Sequence, residues 1–468
     1  MKTGKRKNII ATLALLAISL CGYAQYDAAL FYVELKEGTD IEANPVKQTE
    51  AKSEAKGILL RIYPEITFQT IEGVGGAFNE IGGEALMALG MEQRNEIMKN
   101  LFAPDAANFS LCRTAIGASD FGIDAYSYSE VPGDYTMDKF SIEREKNSVI
   151  PYIQTAYKYN PDMALFASPW SPPGWMKESG LMDRGTEVPE KNRLKDDPEI
   201  YKAYALYFAK YVEAYAKEGI RVDRIVIQNE QDISTKYPSC NMPPAQMGEF
   251  ARTYLKPQFE KTRSETEIWA GSFRTANRVD GLEFVSNKNW REAVDGIGIQ
   301  YINPLHIENM RSVFPEIRFL HTEGICFGGA NNIKEAYSRF DEVASFINHG
   351  VPNYCYWNMI LNETATSGWG WKQNSLINID RTEKTVTYNP DYAAMALFGR
   401  FMRPGMKRVA SASWYSETIT LADDKNVYFF VKNDSDKVKT FDIWLKEEQA
   451  KVVDIPANSL SVVVLNYK

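Results

Sequence analysis

Histidine is almost missing from this chain of 468 residues: His306, His321 and His349 are all it has. A histidine-built metal centre needs several ligands at defined spacing, which three scattered residues do not supply. The five cysteines follow neither a metal-site nor a disulfide-framework pattern, and a chain this long needs no covalent staples. No metal or other cofactor is therefore expected. Beyond the first segment Cys112, Cys240, Cys326 and Cys355 remain, three of them inside or beside apolar strands, and they read as buried free thiols. Positive charge is also short. A net charge of −8 excludes nucleic acid and anionic membrane as partners, because binding phosphates takes clustered Lys and Arg.

Long apolar runs are missing too, except at the start. Lys2, Lys5, Arg6 and Lys7 precede an apolar run from Ile9 to Leu20, and Gly22-Tyr23-Ala24 offers a small-residue cleavage site. Together these read as a secretory signal peptide over residues 1–24, with the mature chain starting near Gln25 and secreted, periplasmic or at the cell surface. A lipoprotein reading through Cys21 is weaker, since Leu20 is bulky for that position. After cleavage no transmembrane segment is expected. Residues 25–56 are charged and largely patternless, a linker with some strand.

What is present is a repeated unit of short apolar strand, polar or Gly/Pro loop, and helix. Strands are predicted over Ile71–Phe78, Phe109–Ile116, Met163–Ser168, Arg224–Gln228, Glu267–Phe273, Val294–Tyr301, Arg318–His321 and Pro352–Ile360. Helical stretches such as Pro198–Lys217 and Asn331–Asn348 alternate with them. Eight such units predict an α/β fold, a (β/α)8 TIM barrel over residues 71–397.

Such a barrel keeps its chemistry at the carboxyl ends of its strands. The fourth strand, in RIVIQNE, delivers Asn229 and Glu230, with Tyr237 in the loop beyond; alone, Glu230 reads first as a surface carboxylate paired with Arg or Lys. The seventh ends in HTEG, with Glu323 at its tip. The second carries Arg113 and leads to Asp120, the third runs into SPWSPPGWMK with Trp170 and Trp175, and the sixth ends on Gln300 and Tyr301. The first ends in GVGGAFNE, which lacks the Lys-Ser/Thr of a phosphate loop and so excludes nucleotide binding there. No Ser-His or Cys-His nucleophile competes. Two carboxylates of opposite role, one protonated to release the leaving oxygen and one ionised to attack or activate water, are what cleavage of a glycosidic bond needs. A barrel isomerase or lyase with a Glu base, and a non-catalytic glycan-binding barrel, stay open on spacing alone. The 26 Tyr and 9 Trp suit sugar surfaces, although core packing uses most such rings.

The ordered set GVGGAFN, CRTAIGASDF, SPWSPPGWMK, QNE, HTEG and YWNMIL…GWGWKQNS resembles glycoside hydrolase family 30, which includes lysosomal glucosylceramidase and microbial endo-β-1,6-glucanases. The match runs from about Leu60 to Lys468. The resemblance implies a retaining mechanism with Glu230 as acid/base and Glu323 as nucleophile. It also implies sugar-binding roles for Arg113, Asp120, Trp170 and Asn229, with Tyr237 beside the carboxylates, and Trp369, Trp371 and Asn378 lining the pocket. Strand six reads Gly298-Ile299-Gln300-Tyr301-Ile302 where glucosylceramidase-like members often have a His-Trp-Tyr ending. That departure, with SGWGWKQN, favours the glucanase branch: a polysaccharide, oligosaccharide or glycoside with β-glucosidic links, β-1,6-glucan first. Glucosylceramidase, xylan-cleaving and fucoside-cleaving specificities belong to the same family.

From residue 398 the pattern becomes short alternating segments, Thr418–Leu421, Asn426–Lys432, Lys437–Trp444, Lys451–Ile455 and Ser459–Leu465. Period-two alternation predicts an antiparallel β-sandwich over residues 398–468. That span is short for a sandwich, so the strand-like residues 57–70 are expected to join it. Its role reads as a prop for the barrel rather than a sugar-binding platform.

Overall fold

The computed structural model describes residues 26–274, 278–414 and 418–467; the leader expected over 1–24 lies outside the described residues. Eight parallel strands form a barrel: Gly73–Phe78, Leu111–Ala115, Ala164–Ser168, Arg224–Val226, Glu267–Phe273, Gly296–Gln300, Phe319–Glu323 and Asn353–Asn358, here barrel strands one to eight. Within strands one to seven each pairs with its neighbour in sequence, and strand eight returns beside strand one. Strand four is short only in name. Past Val226 its chain still bonds to strand five, Ile227 N–H to the Trp269 carbonyl at 3.0 Å and Gln228 N–H to Gly271 at 2.9 Å.

The seam between strands seven and eight is closed differently, by side chains together with one backbone bond, Gly324 N–H to the Cys355 carbonyl at 2.8 Å. Asn353 accepts from the His321 N–H (3.0 Å) and donates to the His321 carbonyl (2.9 Å), while the Cys355 N–H reaches His321 Nδ1 at 3.2 Å. An amide side chain thus supplies the donor and acceptor that a neighbouring backbone would otherwise offer.

Inside the barrel Leu111, Phe166, Val226, Trp269, Leu320 and Cys355 form one buried layer contributed by six strands. Strand six supplies Gly296 there, and a Cβ on it would lie 2.3 Å from the Trp269 ring, so the indole takes the space a side chain would need. Beneath this layer the amino-terminal mouth is closed by ion pairs, Arg224 to Glu72 (2.6 Å) and Glu267 (3.0 Å) and Arg318 to Glu267 (2.6 Å). Both guanidinium groups lie over Trp269, at 5.1 and 4.9 Å. With the bottom plugged, the accessible end of the barrel is the carboxyl end.

The second unit is a nine-stranded sheet in the order Glu448–Ile455, Lys439–Leu445, Ile58–Thr70, Lys407–Ser413, Thr418–Ala422, Asn426–Asn433, Ser459–Asn466, Ala28–Glu34 and Lys47–Glu50. Strands from both ends of this order share one core, with Leu30, Leu60, Phe429, Phe441, Val453 and Val463 in contact, so the sheet wraps on itself as a sandwich. Within residues 25–56, expected as linker with some strand, Ala28–Glu34 is a strand that pairs along its whole length with Ser459–Asn466. Its buried Leu30 and Val33 are the apolar anchors that the charged surroundings mask in the sequence.

One strand of this unit faces two cores. In Asn426–Asn433, Val427, Phe429 and Val431 point into the sandwich, whereas Tyr428 and Phe430 join the barrel's core. They meet the helix Pro390–Phe401, through Phe398 against Phe430 at 5.9 Å. That helix is buried almost all round, as a helix between two cores must be. The domain boundary expected at residue 397 falls inside it.

Candidate active site

At the carboxyl end of the barrel, three local departures from regular strand aim the polar side chains. Immediately past strands four and six the chain enters left-handed backbone, Glu230 at φ 45° and Tyr301 at φ 53°. Such conformations are costly for non-glycine residues and concentrate at functional sites. In strand seven the pairing register shifts between His321 and Glu323, a bulge that re-aims the last side chain. The outcome is a cavity of about 370 Å³ lined by Asp120, Trp170, Glu230, Tyr237, Tyr301 and Glu323, with Arg274, Ile233, Ile325, Phe327, Trp371 and Gln373 around them.

Glu323 is held at both oxygens. Arg113 donates to Oε2 at 2.7 Å and the Tyr301 hydroxyl to Oε1 at 2.5 Å. Burial raises its pKa, while Arg113 first and the Tyr301 hydrogen bond second pull it back toward the ionised form. Arg113 itself is wholly buried, and its five N–H groups are all spent on protein: Nε and Nη2 on Ser168 (3.1 and 2.6 Å), Nη1 on the Thr322 carbonyl (3.0 Å) and Glu323, Nη2 also on Asn229 Oδ1 (2.8 Å). It lies 4.4 Å from the Trp170 ring centroid.

Glu230 is held at one oxygen only. Oε1 accepts from Gln300 Nε2 (3.2 Å) and Arg274 (3.4 Å), and Oε2 has no protein partner among the described residues. Its pKa is pushed up to about 7, first by burial and then by Glu323, with Arg274 opposing. Gln300 is fixed in turn, its Oε1 accepting from the Thr322 hydroxyl at 2.7 Å, which leaves the NH2 to face Glu230. Strand six therefore serves both carboxylates: extended Gln300 reaches Glu230, and Tyr301, turned over by its backbone, reaches Glu323. Asp120, buried at the cavity wall, is raised well above the usual carboxylate range by burial and by the two glutamates.

Of the residues singled out in the sequence, Asp120, Trp170, Glu230, Tyr237, Tyr301, Glu323 and Trp371 meet at this cavity. Asn229 is buried beside it. Three do not take the part expected of them. Arg113 has no N–H left for a ligand and is the brace behind Glu323 and Asn229. Trp369 donates to Asp183 (3.2 Å) and is not part of the cavity wall. Asn378 lies in the short strand Ile377–Ile379, bonded to Asn331, Ser375, Asn389 and the Asn362 carbonyl, a structural polar knot. Two residues were missed. Trp357 stacks on Trp170 at 4.9 Å, and Arg274 follows strand five directly, where asking what ends that strand would have found it.

Comparison with known proteins follows the same outline. The family model described as the glycosyl hydrolase family 30 TIM-barrel domain matches residues 71–402. Lysosomal acid glucosylceramidase of Mus musculus is 26% identical over 421 residues, covering 83% of this chain and 79% of that protein. Endo-1,6-beta-D-glucanase neg1 of Aspergillus fumigatus is 27% identical over 368 residues, covering 72% and 71%. Among solved structures, SrfJ from Salmonella typhimurium superposes with a TM-score of 0.84 and the endo-beta1,6-glucanase BT3312 with 0.81. Each is 21% identical and covers 94% of this chain and 100% of the other, a likeness that speaks for the fold.

Proposed function

The chain belongs to glycosyl hydrolase family 30, and from that premise we propose that it is an exported retaining enzyme cleaving β-glucosidic linkages, with β-1,6-glucan or a related β-glucoside as substrate. The observation that carries the mechanism is the unequal holding of the two carboxyls. Glu323, with a donor on each oxygen, is the ionised partner and attacks the anomeric carbon to form the glycosyl-enzyme. Glu230, with Oε2 free and its pKa near 7, keeps a proton and delivers it to the leaving oxygen; it then takes one from the water that releases the sugar. Asp120, in the cavity wall beside both glutamates, is placed to accept from a hydroxyl of the bound sugar.

Both relatives named above carry glucosyl specificity in their names, which supports a glucosyl bond here. Gln300 at the end of strand six favours the glucanase side. The basic and apolar leader supports export. Product analysis on β-1,6-, β-1,3- and β-1,4-glucans, a xylan and short β-glucosides tests the substrate; cleavage of xylan alone would replace the glucan without touching the mechanism. Glu323→Gln should lower kcat roughly ten-thousandfold with the fold unchanged by circular dichroism, and substantial residual turnover would remove Glu323 as nucleophile.

A further inference from the structure

Arg274 is the charged residue of the cavity wall that neither the sequence pattern nor the proposed chemistry uses. It follows strand five, next to the strand that carries Glu230, and its polar contacts all belong to that side of the cavity. Nε donates to Asp232 Oδ1 at 2.9 Å, Nη2 reaches Asp232 Oδ2 at 3.5 Å, and Nη1 reaches Glu230 Oε1 at 3.4 Å. Two of its five N–H groups have no hydrogen-bond partner among the described residues. Its side chain is 18% exposed, that of Asp232 8%. The guanidinium is therefore a braced, partly desolvated donor facing the cavity beside the proton-bearing carboxyl.

The position of that donor relative to the reaction follows from chemistry. A general acid protonates the glycosidic oxygen, so the leaving group departs from beside Glu230, while the glycone sits over Glu323. Arg274 hydrogen-bonds Glu230 and Asp232 and none of Glu323, Asp120 or Trp170, which puts its donors on the leaving-group side. Its charge is already matched by Asp232 and shared with Glu230, so what it offers is directed hydrogen bonding to neutral acceptors rather than a net cationic site. An apolar leaving group would bury these N–H groups without partners, a costly arrangement.

We propose that Arg274, braced by Asp232, determines leaving-group specificity by donating to hydroxyls of a saccharide leaving group, and so selects oligosaccharides over glycosides of apolar alcohols. The proposal rests on the reading of Glu230 as general acid, and deepens it by naming the kind of leaving group.

The test compares two leaving groups on one glycone: a β-1,6-linked glucose trisaccharide and para-nitrophenyl β-glucoside, with octyl β-glucoside as the apolar control. Arg274→Met should lower kcat/KM on the trisaccharide by about 10- to 100-fold. On the aryl and octyl glucosides the loss should be less than about a quarter of that in logarithm. Arg274→Lys, which keeps a donor but not the fork, should fall between. Equal losses on all three substrates would overturn the proposal, reducing Arg274 to a support of Glu230. So would an unaltered enzyme that prefers octyl β-glucoside to every oligosaccharide tried. Should no β-glucoside be turned over, the same three leaving groups on the glycone that is cleaved carry the comparison; failure on every glycone would overturn both readings, and inactive Glu323→Gln with active unaltered enzyme separates the two.

Discussion

Glu230 and Glu323 differ little in burial, at 7% and 5% exposed, and much in what touches them. That difference has a pH consequence with a fixed sign. In the proposed role of general acid Glu230 must be protonated to act, and its pKa is pushed up to about 7; below that value the acid is in place, and as pH rises through it the proton is lost. The alkaline limb of kcat/KM on a substrate with a poor leaving group should therefore fall through about pH 7, and Glu230→Gln should abolish the limb together with most of the activity. A profile still flat two units higher would dissociate Glu230 from the acid role. At this scale the sequence was informative about strand tips and silent about neighbours. It put Arg113 on strand two and could not say that Ser168, Thr322, Glu323 and Asn229 would exhaust its donors. Asn378 shows the converse, an asparagine in a motif-rich stretch whose partners are three other asparagines and one serine. Arg274 was readable in principle, since the same rule that exposed Glu230 and Glu323 applies to strand five.

Strands, as elements, carried most of the reading because their apolar runs are short, buried and punctuated by Gly and Pro. The seven residues from Arg224 to Glu230 span the barrel from the ion pairs at one mouth to the proposed acid at the other, and both ends are set by the strand between. Bulges and left-handed turns were not readable, because they arise from pairing between strands rather than from local propensity. The seam at strands seven and eight is the sharpest case. Asn353→Leu keeps the approximate volume but strips the His321 N–H and carbonyl of their partners, each loss costing about 1–3 kcal/mol. Because His321 lies two residues before Glu323 on the same bulged strand, the substitution should lower the melting temperature by several degrees and reduce kcat more than it raises KM. Thermal melts with parallel steady-state kinetics check this, and an unchanged melting temperature would show that the seam is closed by the backbone alone.

Across the whole molecule the question is whether the β-sandwich is cargo or part of the enzyme's stability. Two separated stretches of chain build it: residues 28–70 supply Ala28–Glu34, Lys47–Glu50 and Ile58–Thr70 before the barrel begins, and the remaining strands come after it ends. Alternation exposed the later strands and led residues 57–70 to be expected beside them; Ile58–Thr70 pairs with Lys407–Ser413 and Lys439–Leu445, and Ala28–Glu34 adds a second link through Ser459–Asn466, so the two stretches clasp the barrel between them. The clasp is tightened by the strand Asn426–Asn433, whose alternate residues serve both cores, and by Phe398 and Phe430 at the junction, both fully buried. With the interface built from the same rows of side chains as the cores, neither part has an apolar surface it could expose cheaply on its own. Phe429→Ala, a change within the sandwich core, should cost about 3–5 kcal/mol and lower the temperature at which glycosidase activity is lost by the same amount as it lowers the calorimetric transition. Heating the variant while assaying the barrel's activity decides the matter: a sandwich that melted first and left activity standing would be an independent domain, whereas coincident loss makes it one cooperative unit with the active-site barrel.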